Sequence, residues 1–416
     1  MDVTDISKLG EVAMDVVKFN HRNTRWLRLL SQPTGRGRGL EVPKRLLPSD
    51  DSLEKRSSDV ERKTRDAVSV FLPEFQCRRF PGKDHFQILG FVAKGSFGPI
   101  LKVKDKNKDK IYAVKVIPKS EIWKHGALEQ SKEEVIIQRQ LKHPFIHNLQ
   151  DCWQTQRHLF IMCDYCDSGD LYTYWELKGQ FGEDEIRVFA AELGSALGFL
   201  HDCGIIHRDV KMENILLSDQ GHLRLADFGL SRRLTRGGRA FSVCGTIQYM
   251  APEVLSGGPY NHAADWWSLG IMLFSLVAGK FPVPPESDHC TMSRKVKEFP
   301  YVIPKTFSPA LTLLLSELLC KNPANRLRNL ERFKRQTFFS GTSFDSQILQ
   351  KTPVGFILEL KSHPDRVAKA MRGLSEDYFR NFDCDKILNS PTSPPDLSPT
   401  LANIDSNQAT AQTCKA

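Results

Sequence analysis

The stretch that decides the fold reads His207-Arg208-Asp209-Val210-Lys211-Met212-Glu213-Asn214, and Asp227-Phe228-Gly229 begins thirteen residues after Asn214. The Asp209 carboxylate is suited to accept or orient a hydroxyl proton, and the Lys211 ammonium is suited to neutralise an anion. Asn214 and Asp227 carry amide and carboxylate oxygens, the hard ligands that Mg²⁺ prefers. Each triplet alone is compatible with an ordinary loop. Together, at these spacings, they predict a catalytic loop beside a metal site.

A glycine-rich turn and a lysine upstream complete a set of phosphate-handling residues. The turn Gly95-Ser96-Phe97-Gly98 lies between two β-rich runs, and glycines let backbone amides approach phosphate oxygens closely. Lys115 lies on an otherwise apolar strand, where its charge needs a partner. Phosphate oxygens or a helix carboxylate can supply one, with Glu134 as first candidate and Glu133 as the alternative. The sequence therefore predicts the three requirements of phosphoryl transfer.

The surrounding sequence predicts an α+β fold with two lobes. Short β-rich runs extend from Phe86 to Met162, interrupted by a helical segment at 129–141, and a mostly helical pattern continues to about residue 339. We expect one domain at 86–340, with a small β-rich lobe at 86–166 and a larger helical lobe at 167–340. The predicted flanks are a charged, partly disordered extension at 1–80, a further extension at 341–388 and a disordered Pro/Ser-rich tail at 389–416.

These motifs, together with Ala251-Pro252-Glu253, resemble the eukaryotic protein kinases over residues 86–340. Within that superfamily, the runs 265–270 and 242–246 resemble the AGC group of serine/threonine kinases, and a divergent relative of the ribosomal-protein kinases is indicated. The resemblance implies an enzyme of intracellular signalling that transfers the γ-phosphate of ATP, with Mg²⁺, to serine or threonine hydroxyls of protein substrates. Lys211 and Thr246 mark a serine/threonine rather than a tyrosine preference.

The resemblance also implies roles for individual residues. Asp209, Lys211 and Lys115 would be catalytic, and Asn214 and Asp227 would bind the metal. The implied nucleotide-binding residues are Ala93, Gly95, Ser96, Phe97, Gly98, Ile100, Ala113, Lys115, Glu134, Asp164, Cys166, Asp170 and Leu216.

Within the nucleotide-binding set, Ile100, Ala113 and Leu216 would sandwich the adenine ring. Residues 164–166 would form the hinge behind the gatekeeper Cys163, and Asp170 would bind the ribose. Outside the site, Glu253 would pair with Arg326 in the helical lobe.

One departure from the family pattern supports a different functional class. Ala93 stands where relatives usually have glycine, Ile100 stands where they have valine, and Pro99 stiffens the loop. Weakened nucleotide binding would leave a signalling scaffold of the pseudokinase type. The glycines nearest the phosphates remain in place, and this favours an active enzyme.

Ser242 stands at the position of the activating phosphosite of the AGC group. A phosphate there would meet Arg208 and Arg232 and order the loop through charge-assisted hydrogen bonds. We therefore expect regulation of Ser242 by an upstream kinase. An unmodified loop serine is the alternative.

The segment Phe379-Arg380-Asn381-Phe382-Asp383-Cys384 resembles the hydrophobic motif that in relatives docks beside the helix bearing Glu134. Asp383 takes the place of the phosphosite, so its fixed charge would make docking independent of phosphorylation, which makes it a candidate regulatory residue. Cys384 replaces an aromatic residue and reduces the area available for burial. A tail helix without a docking role is the alternative.

Acidic residues beside the site predict a preference for arginine at the third position upstream of the target. Asp170 and Glu213 match the acidic residues of basophilic relatives, whereas Ser275 stands where a glutamate is usual.

Composition and charge limit the partners and the cellular location that we expect for the protein. The net charge of +9 permits nucleic-acid binding, but no cluster of Lys and Arg interleaved with aromatics supports it, so we expect no nucleic-acid partner. No apolar run is long enough to cross a bilayer, although contact of the basic amino-terminal region with a membrane surface stays open. Ten cysteines without a secreted framework predict a reducing compartment. We expect a cytoplasmic monomer, with the nucleus as the alternative location.

Overall fold

The computed structural model describes residues 68–77, 86–95, 97–286 and 288–361. Its small lobe contains a six-stranded sheet with strand order β1-β5-β6-β4-β3-β2, in which only β1 runs parallel to its neighbour. The strands are β1 (Gln76–Cys77), β2 (Phe86–Lys94), β3 (Pro99–Asp105), β4 (Lys110–Pro118), β5 (Leu149–Gln154) and β6 (His158–Asp164). Two helices, α1 (Lys119–His125) and α2 (Leu128–Gln140), connect β4 to β5.

The small lobe is built on alternating burial. Leu101 and Val103 of β3 point to the same side and are buried with Val114 of β4, while the residues between them are partly exposed. The stacked rings of Trp153 and Phe160, 5.1 Å apart, extend this apolar layer across β5 and β6. The hydrophobic pattern therefore fixes the register of the hairpins that carry the glycine-rich turn.

The large lobe is mostly helical and contains two short antiparallel strand pairs. Its helices are α3 (Leu171–Lys178), α4 (Glu183–Asp202), α5 (Pro252–Leu255), α6 (Ala263–Ala278), α7 (His289–Glu298), α8 (Pro309–Leu318), α9 (Leu330–Phe333), α10 (Ser346–Leu349) and α11 (Gly355–Lys361). Its strand pairs are β7 (Ile205–Ile206) with β10 (Arg232–Arg233) and β8 (Ile215–Leu217) with β9 (Leu223–Leu225). The described elements thus confirm the predicted two-lobed α+β fold.

Helix α6 is the centre of the large lobe, with both Trp266 and Trp267 fully buried. Beside it, the Arg326 guanidinium forms a bidentate pair with the Glu253 carboxylate, with N···O distances of 2.6 and 3.0 Å. The same guanidinium lies 5.0 Å from the Trp267 ring centroid. This geometry confirms the predicted pair of Glu253 and Arg326. Both charges are largely buried, and each is stabilised by its partner and by hydrogen bonds.

Residues 68–77 lie against the small lobe, although the sequence prediction assigned them to the charged extension at 1–80. Phe71 and Phe75 are fully buried there, and β1 extends the sheet. Residues 67–77 contain one charged side chain, that of Glu74, so this short apolar run was the signal that the predicted boundary missed. Residues 346–357 lie on the large lobe, where Phe356 packs on Tyr174 and Phe181. The rest of the domain division stays a prediction, and residues 389–416 lie outside the described part.

Over the described ranges, none of the helices combines the length and apolar character that crossing a bilayer requires.

Candidate active site

The buried carboxylate of Asp265 fixes the loop that follows β7. One Asp265 oxygen accepts a hydrogen bond from the backbone N–H of His207, and the other accepts one from that of Arg208, both at 2.9 Å. Arg208 adopts a left-handed backbone conformation, with φ at 69°. Asp265 is 1% exposed, so its charge is held almost entirely by these donors and by His201. The sequence analysis quoted Asp265 in a motif and missed this role; its signal is a carboxylate in an apolar helix.

Three polar side chains, those of Asn214, Lys211 and Thr246, converge on Asp209, and Asn214 Nδ2 donates to Asp209 Oδ2 at 3.2 Å. The Thr246 hydroxyl donates to Asp209 Oδ1 at 2.8 Å, and Lys211 Nζ lies 2.8 Å from Asp209 Oδ2. Lys211 also donates to Thr246 Oγ1 at 2.9 Å, which closes a three-membered network. Burial would lower the pKa of Lys211, but the carboxylates of Asp209, Glu213 and Asp227 together outweigh it and raise that pKa. The network holds a carboxylate and an ammonium side by side.

A second ion pair links the small lobe to the loop that carries Asp227, the candidate metal ligand. Lys115 Nζ of β4 lies 2.7 Å from Glu134 Oε1 of α2 and 3.8 Å from Asp227 Oδ1. The structure therefore selects Glu134 over the alternative Glu133. Burial would lower the pKa of Lys115, but the carboxylates of Glu134 and Asp227 raise it above its ordinary value. The ammonium stays charged and reaches both lobes.

Asn214 and Asp227 have the donor chemistry of a divalent-cation site. The backbone N–H of Ala226 donates to the Asn214 carbonyl at 2.8 Å, which brings together the start of β8, preceded by Asn214, and the end of β9, followed by Asp227. Burial would raise the pKa of Asp227, but the charges of Lys115 and Lys211 lower it, so the carboxylate is ionised at neutral pH. The part of the chain that the structure describes contains no group of three His, Cys, Asp or Glu side chains fit to hold a metal alone. A cation here would take its remaining ligands from phosphate oxygens and water.

The residues predicted to contact adenine lie on the six-stranded sheet of the small lobe and on the β8–β9 pair of the large lobe. Ile100 lies on β3 and Ala113 on β4, while Leu216 lies on β8, where its backbone pairs with Asp170. Asp170 also caps α3 by accepting hydrogen bonds from the Thr173 backbone and hydroxyl, both at 2.9 Å. The assignment of these residues to an adenine-binding slot stays a prediction.

Beside this slot, the gatekeeper position and the hinge are anchored to the sheet. Cys163 is buried opposite Ala113, and burial raises the pKa of its thiol. The Asp164 carboxylate accepts hydrogen bonds from Lys110 Nζ at 2.8 Å and from Gln150 Nε2 at 3.1 Å. Cys166 lies in the segment that follows, and burial raises the pKa of its thiol to about 12. Both thiols are therefore protonated at neutral pH, which disfavours metal or redox chemistry at this Cys-x-x-Cys pair.

The glycine-rich turn is closed by one hydrogen bond, from the Gly95 N–H to the Gly98 carbonyl at 2.7 Å. A Cβ atom at Gly98 would lie 2.0 Å from the Val116 carbonyl oxygen, so no other residue fits there without a shift of the backbone. Ala93 faces Ile100 across the same hairpin. The Phe97 ring lies 6.1 Å from that of His125 at the end of α1. Ser96 lies outside the described residues, as does Asp383.

Gln130 of α2 is a second residue that the sequence analysis missed. Its Nε2 donates to the Gly229 carbonyl at 2.6 Å, and Gly229 follows Asp227 in the same loop. Glu134 lies one turn further along the same face. Two residues of α2 therefore contact the catalytic cleft, so the position of this helix determines the shape of the cleft.

Ser242 lies exposed in the segment between the loop that carries Asp227 and α5. Its hydroxyl accepts a hydrogen bond from Arg208 Nη1 at 2.8 Å, and its carbonyl accepts one from the Tyr260 hydroxyl at 2.7 Å. Arg232 lies exposed on β10. The serine is thus already connected to the arginine that precedes Asp209.

A small β-rich lobe, a helical lobe and a cleft with this arrangement of polar groups define a protein kinase. The protein kinase domain profile matches residues 86–339, more than half of the chain, and the chain belongs to this family. More particularly, its relatives are serine/threonine kinases of the AGC type, and the chain is a protein serine/threonine kinase.

Among these relatives, the human protein named ribosomal protein S6 kinase-related protein is 54% identical over 318 residues, which cover 76% of each chain. A RAC family serine/threonine-protein kinase homolog of Dictyostelium discoideum is 36% identical over 288 residues, covering 68% of this chain and 64% of that protein. Human ribosomal protein S6 kinase alpha-3 is 33% identical over 323 residues, covering 76% of this chain and 42% of that protein.

Proposed function

We propose that the protein is an active kinase of intracellular signalling that transfers the γ-phosphate of ATP to serine or threonine hydroxyls of protein substrates. The observation that carries this proposal is the network of Asp209, Lys211 and Thr246, which joins a carboxylate and an ammonium within 2.8 Å. In the proposed mechanism, Asp209 accepts or orients the proton of the substrate hydroxyl, and Lys211 stabilises the charge of the phosphate in transfer. Lys115 binds the α- and β-phosphates.

Mg²⁺ fits the remaining polar groups. Asn214 and the ionised Asp227 would hold it, and the cation would neutralise charge on the β- and γ-phosphate oxygens. The backbone of the glycine-rich turn would cover the phosphates, and Ile100, Ala113 and Leu216 would enclose the adenine ring. Asp164 and Cys166 would bind the adenine edge through the hinge backbone.

A catalytically impaired scaffold is the competing proposal, and Ala93 is the feature that favours it. The paired Lys115 and Glu134 and the network around Asp209 favour turnover instead. Phosphate transfer from ATP to a mixed serine/threonine peptide library separates the two proposals. Magnesium-dependent ATP binding without transfer to any peptide would support the scaffold.

Ser242→Ala is expected to have a kcat/KM about tenfold lower than that of wild-type protein isolated with Ser242 phosphorylated. A phosphate on this serine would make charge-assisted hydrogen bonds to Arg208, whose guanidinium already contacts the hydroxyl, and would fix the segment next to Asp209. Steady-state kinetics, with phosphate occupancy measured by mass spectrometry, would check this.

Ser256→Ala is the matched control, because the exposed Ser256 hydroxyl donates its hydrogen bond to the carbonyl of Pro252, four residues earlier in the chain. Equal activity of phosphorylated wild type and Ser242→Ala would contradict a regulatory role for Ser242.

We further propose that the site accepts substrates with arginine three positions before the target residue. Among the residues that the structure describes, Glu213 Oε2 is buried and has no hydrogen-bond partner, and burial raises the pKa of both Glu213 and Asp170. Carboxylates in such surroundings gain from a cationic partner. Ser275 is fully buried, with its hydroxyl bonded to the Ile271 carbonyl, so two carboxylates rather than three form this subsite.

Glu213→Gln is expected to raise KM about tenfold for a peptide with arginine at that position, because one charged hydrogen bond becomes a neutral one. The same substitution should leave KM unchanged for the peptide in which that arginine is alanine. This pair of peptides forms a double-mutant cycle. An equal effect on both peptides would exclude the proposed contact.

A further inference from the structure

Residues 68–77, here called the amino-terminal strap, fill a groove between α1, α2 and β5 in the small lobe. Phe71 and Phe75 are fully buried, and their apolar surroundings come from all three elements and the adjoining strands. The rings of Phe71 and Trp123 make an edge contact at 5.8 Å, and the Lys119 ammonium lies 5.0 Å from the Phe71 centroid. The buried residues around the two phenylalanines are Ile117, Ile122, Ala127, Val135, Cys152, Leu159 and Ile161.

Polar contacts fix the backbone of the strap as well as its rings. Gln154 Nε2 donates to the carbonyls of Val68 and Phe75, at 3.1 and 2.5 Å. Its Oε1 accepts from Lys119 Nζ at 2.7 Å, so this one amide holds both ends of the strap and the start of α1. Cys77 pairs with Gln154 in the parallel ladder of β1 and β5. Because the small lobe binds the backbone of the strap as well as its rings, it recognises the conformation of this segment in addition to its apolar side chains.

The strap contacts the side of α2 that faces away from the cleft. Lys132 Nζ lies 3.2 Å from the Glu74 carboxylate, and Arg139 Nη2 donates to the Glu74 carbonyl at 2.5 Å. Val135 lies between them on the helix and packs in the cluster around Phe71 and Phe75. Positions 132, 135 and 139 form one stripe of the helix.

The opposite stripe of α2 carries the catalytic contacts. Gln130 and Glu134 lie four residues apart and contact Gly229 and Lys115. A rotation of 100° per residue puts these two positions about 200° from Lys132. The helix is therefore held between the strap on one side and the cleft on the other.

We propose that the amino-terminal strap is an intramolecular positioning element, which holds α2 so that Glu134 meets Lys115 and the kinase is active without docking of another segment at this groove. Phe71 and Phe75 are positioning residues that act through α2. The sequence prediction placed the segment 379–384 beside the same helix without naming a groove, and this groove cannot hold both segments. The inference rests on the proposed function only in the activity measurement described below, since hydrogen exchange in α2 can be measured whether or not the protein transfers phosphate.

The test uses the full-length chain with Phe71→Ala/Phe75→Ala. We expect kcat/KM to fall at least tenfold and amide hydrogen exchange in residues 128–140 to quicken at least tenfold, because α2 loses the partner on its outer side. Leu72→Ala is the matched control within the strap, since the Leu72 side chain is 41% exposed and should change neither quantity. Unchanged exchange of α2 in the double variant would overturn the proposal, whatever the activity.

A peptide of residues 68–77 with Cys77→Ser, added in trans, separates positioning from general stability. It should restore the activity and the slow exchange of the double variant, whereas the peptide with both phenylalanines replaced by alanine should not. No restoration at saturating peptide would indicate a merely structural segment. If the double variant fails to fold, Phe71→Leu keeps most of the apolar volume, and the proposal then requires a graded loss of activity at an unchanged unfolding midpoint.

A full-length Phe379→Ala/Phe382→Ala variant tests whether the groove binds the strap or the carboxy-terminal segment 379–384. The proposal requires any loss of activity to be much smaller than that of the strap variant. An equal or larger loss, with α2 exchange quickened in the same way, would assign the groove to the carboxy-terminal segment and overturn the proposal. Wild-type protein that protects α2 but transfers no phosphate would refute the proposed function and leave the strap supported by exchange alone.

Discussion

Asp209→Asn is expected to lower kcat for phosphate transfer about 10²–10⁴-fold, with the Kd for ATP nearly unchanged. The amide has the shape of the carboxylate and still accepts the hydrogen bond that Thr246 donates at 2.8 Å. It cannot take up the hydroxyl proton, and it leaves Lys211 without the anion that raises the lysine pKa. Single-turnover transfer to a serine peptide and separate titration of ATP would measure the two quantities.

The control for this substitution is Asp202→Asn, which makes the same chemical change at an exposed position at the end of α4. It should retain wild-type kinetics. Full transfer activity in Asp209→Asn would remove Asp209 from the proposed catalytic role. Loss of ATP binding in the same variant would instead show that Asp209 organises the nucleotide site.

Lys115→Met is expected to lower kcat/KM about 10²–10³-fold, because a preorganised charge that contacts phosphate is lost. The substitution also leaves Glu134 buried without its cation, and removing one member of a buried pair costs about 3–5 kcal/mol in the free energy of unfolding. The Lys115 and Glu134 side chains are 14% and 7% exposed, so water cannot replace the missing partner fully. Denaturant unfolding and steady-state kinetics would measure both losses.

The double variant Lys115→Met/Glu134→Leu separates catalysis from stability. Replacing both charges with apolar side chains removes the unpaired carboxylate, so the free energy of unfolding should return close to that of wild type. Activity should stay at the level of Lys115→Met, since the phosphate contact is still missing. Recovery of activity together with stability would show that Lys115 serves folding alone.

Most of the candidate site was predictable because its residues lie in short segments at fixed spacings. Asp209, Lys211 and Asn214 fall within six positions, and a tight loop brings them together whatever the rest of the chain does. The residue types also determine the chemistry, since hard oxygens suit Mg²⁺ and an ammonium suits phosphate. The metal ligands and the catalytic residues could therefore be assigned as candidates from sequence.

The partners of these residues were predictable only in part. Glu133 and Glu134 are adjacent carboxylates in one helical segment, and only the rotation of α2 against β4 places Glu134 at 2.7 Å from Lys115. Asp265 holds the loop before Asp209 from 57 residues away, and a carboxylate in an apolar helix does not by itself identify the backbone groups that it binds. Contacts at such separations depend on how whole elements pack.

The sequence by itself determined the α+β class, the kinase family and the set of polar residues that line the cleft, because these follow from local patterns and short spacings. The tertiary structure alone decided that residues 68–77 belong to the small lobe and contact the outer side of α2. Phe71 and Phe75 lie in a short apolar run, but what buries them is a groove built from three elements, the first of which begins 42 residues after Cys77. Burial of this kind is a property of the folded surface that receives the segment, so the segment's own sequence cannot reveal it.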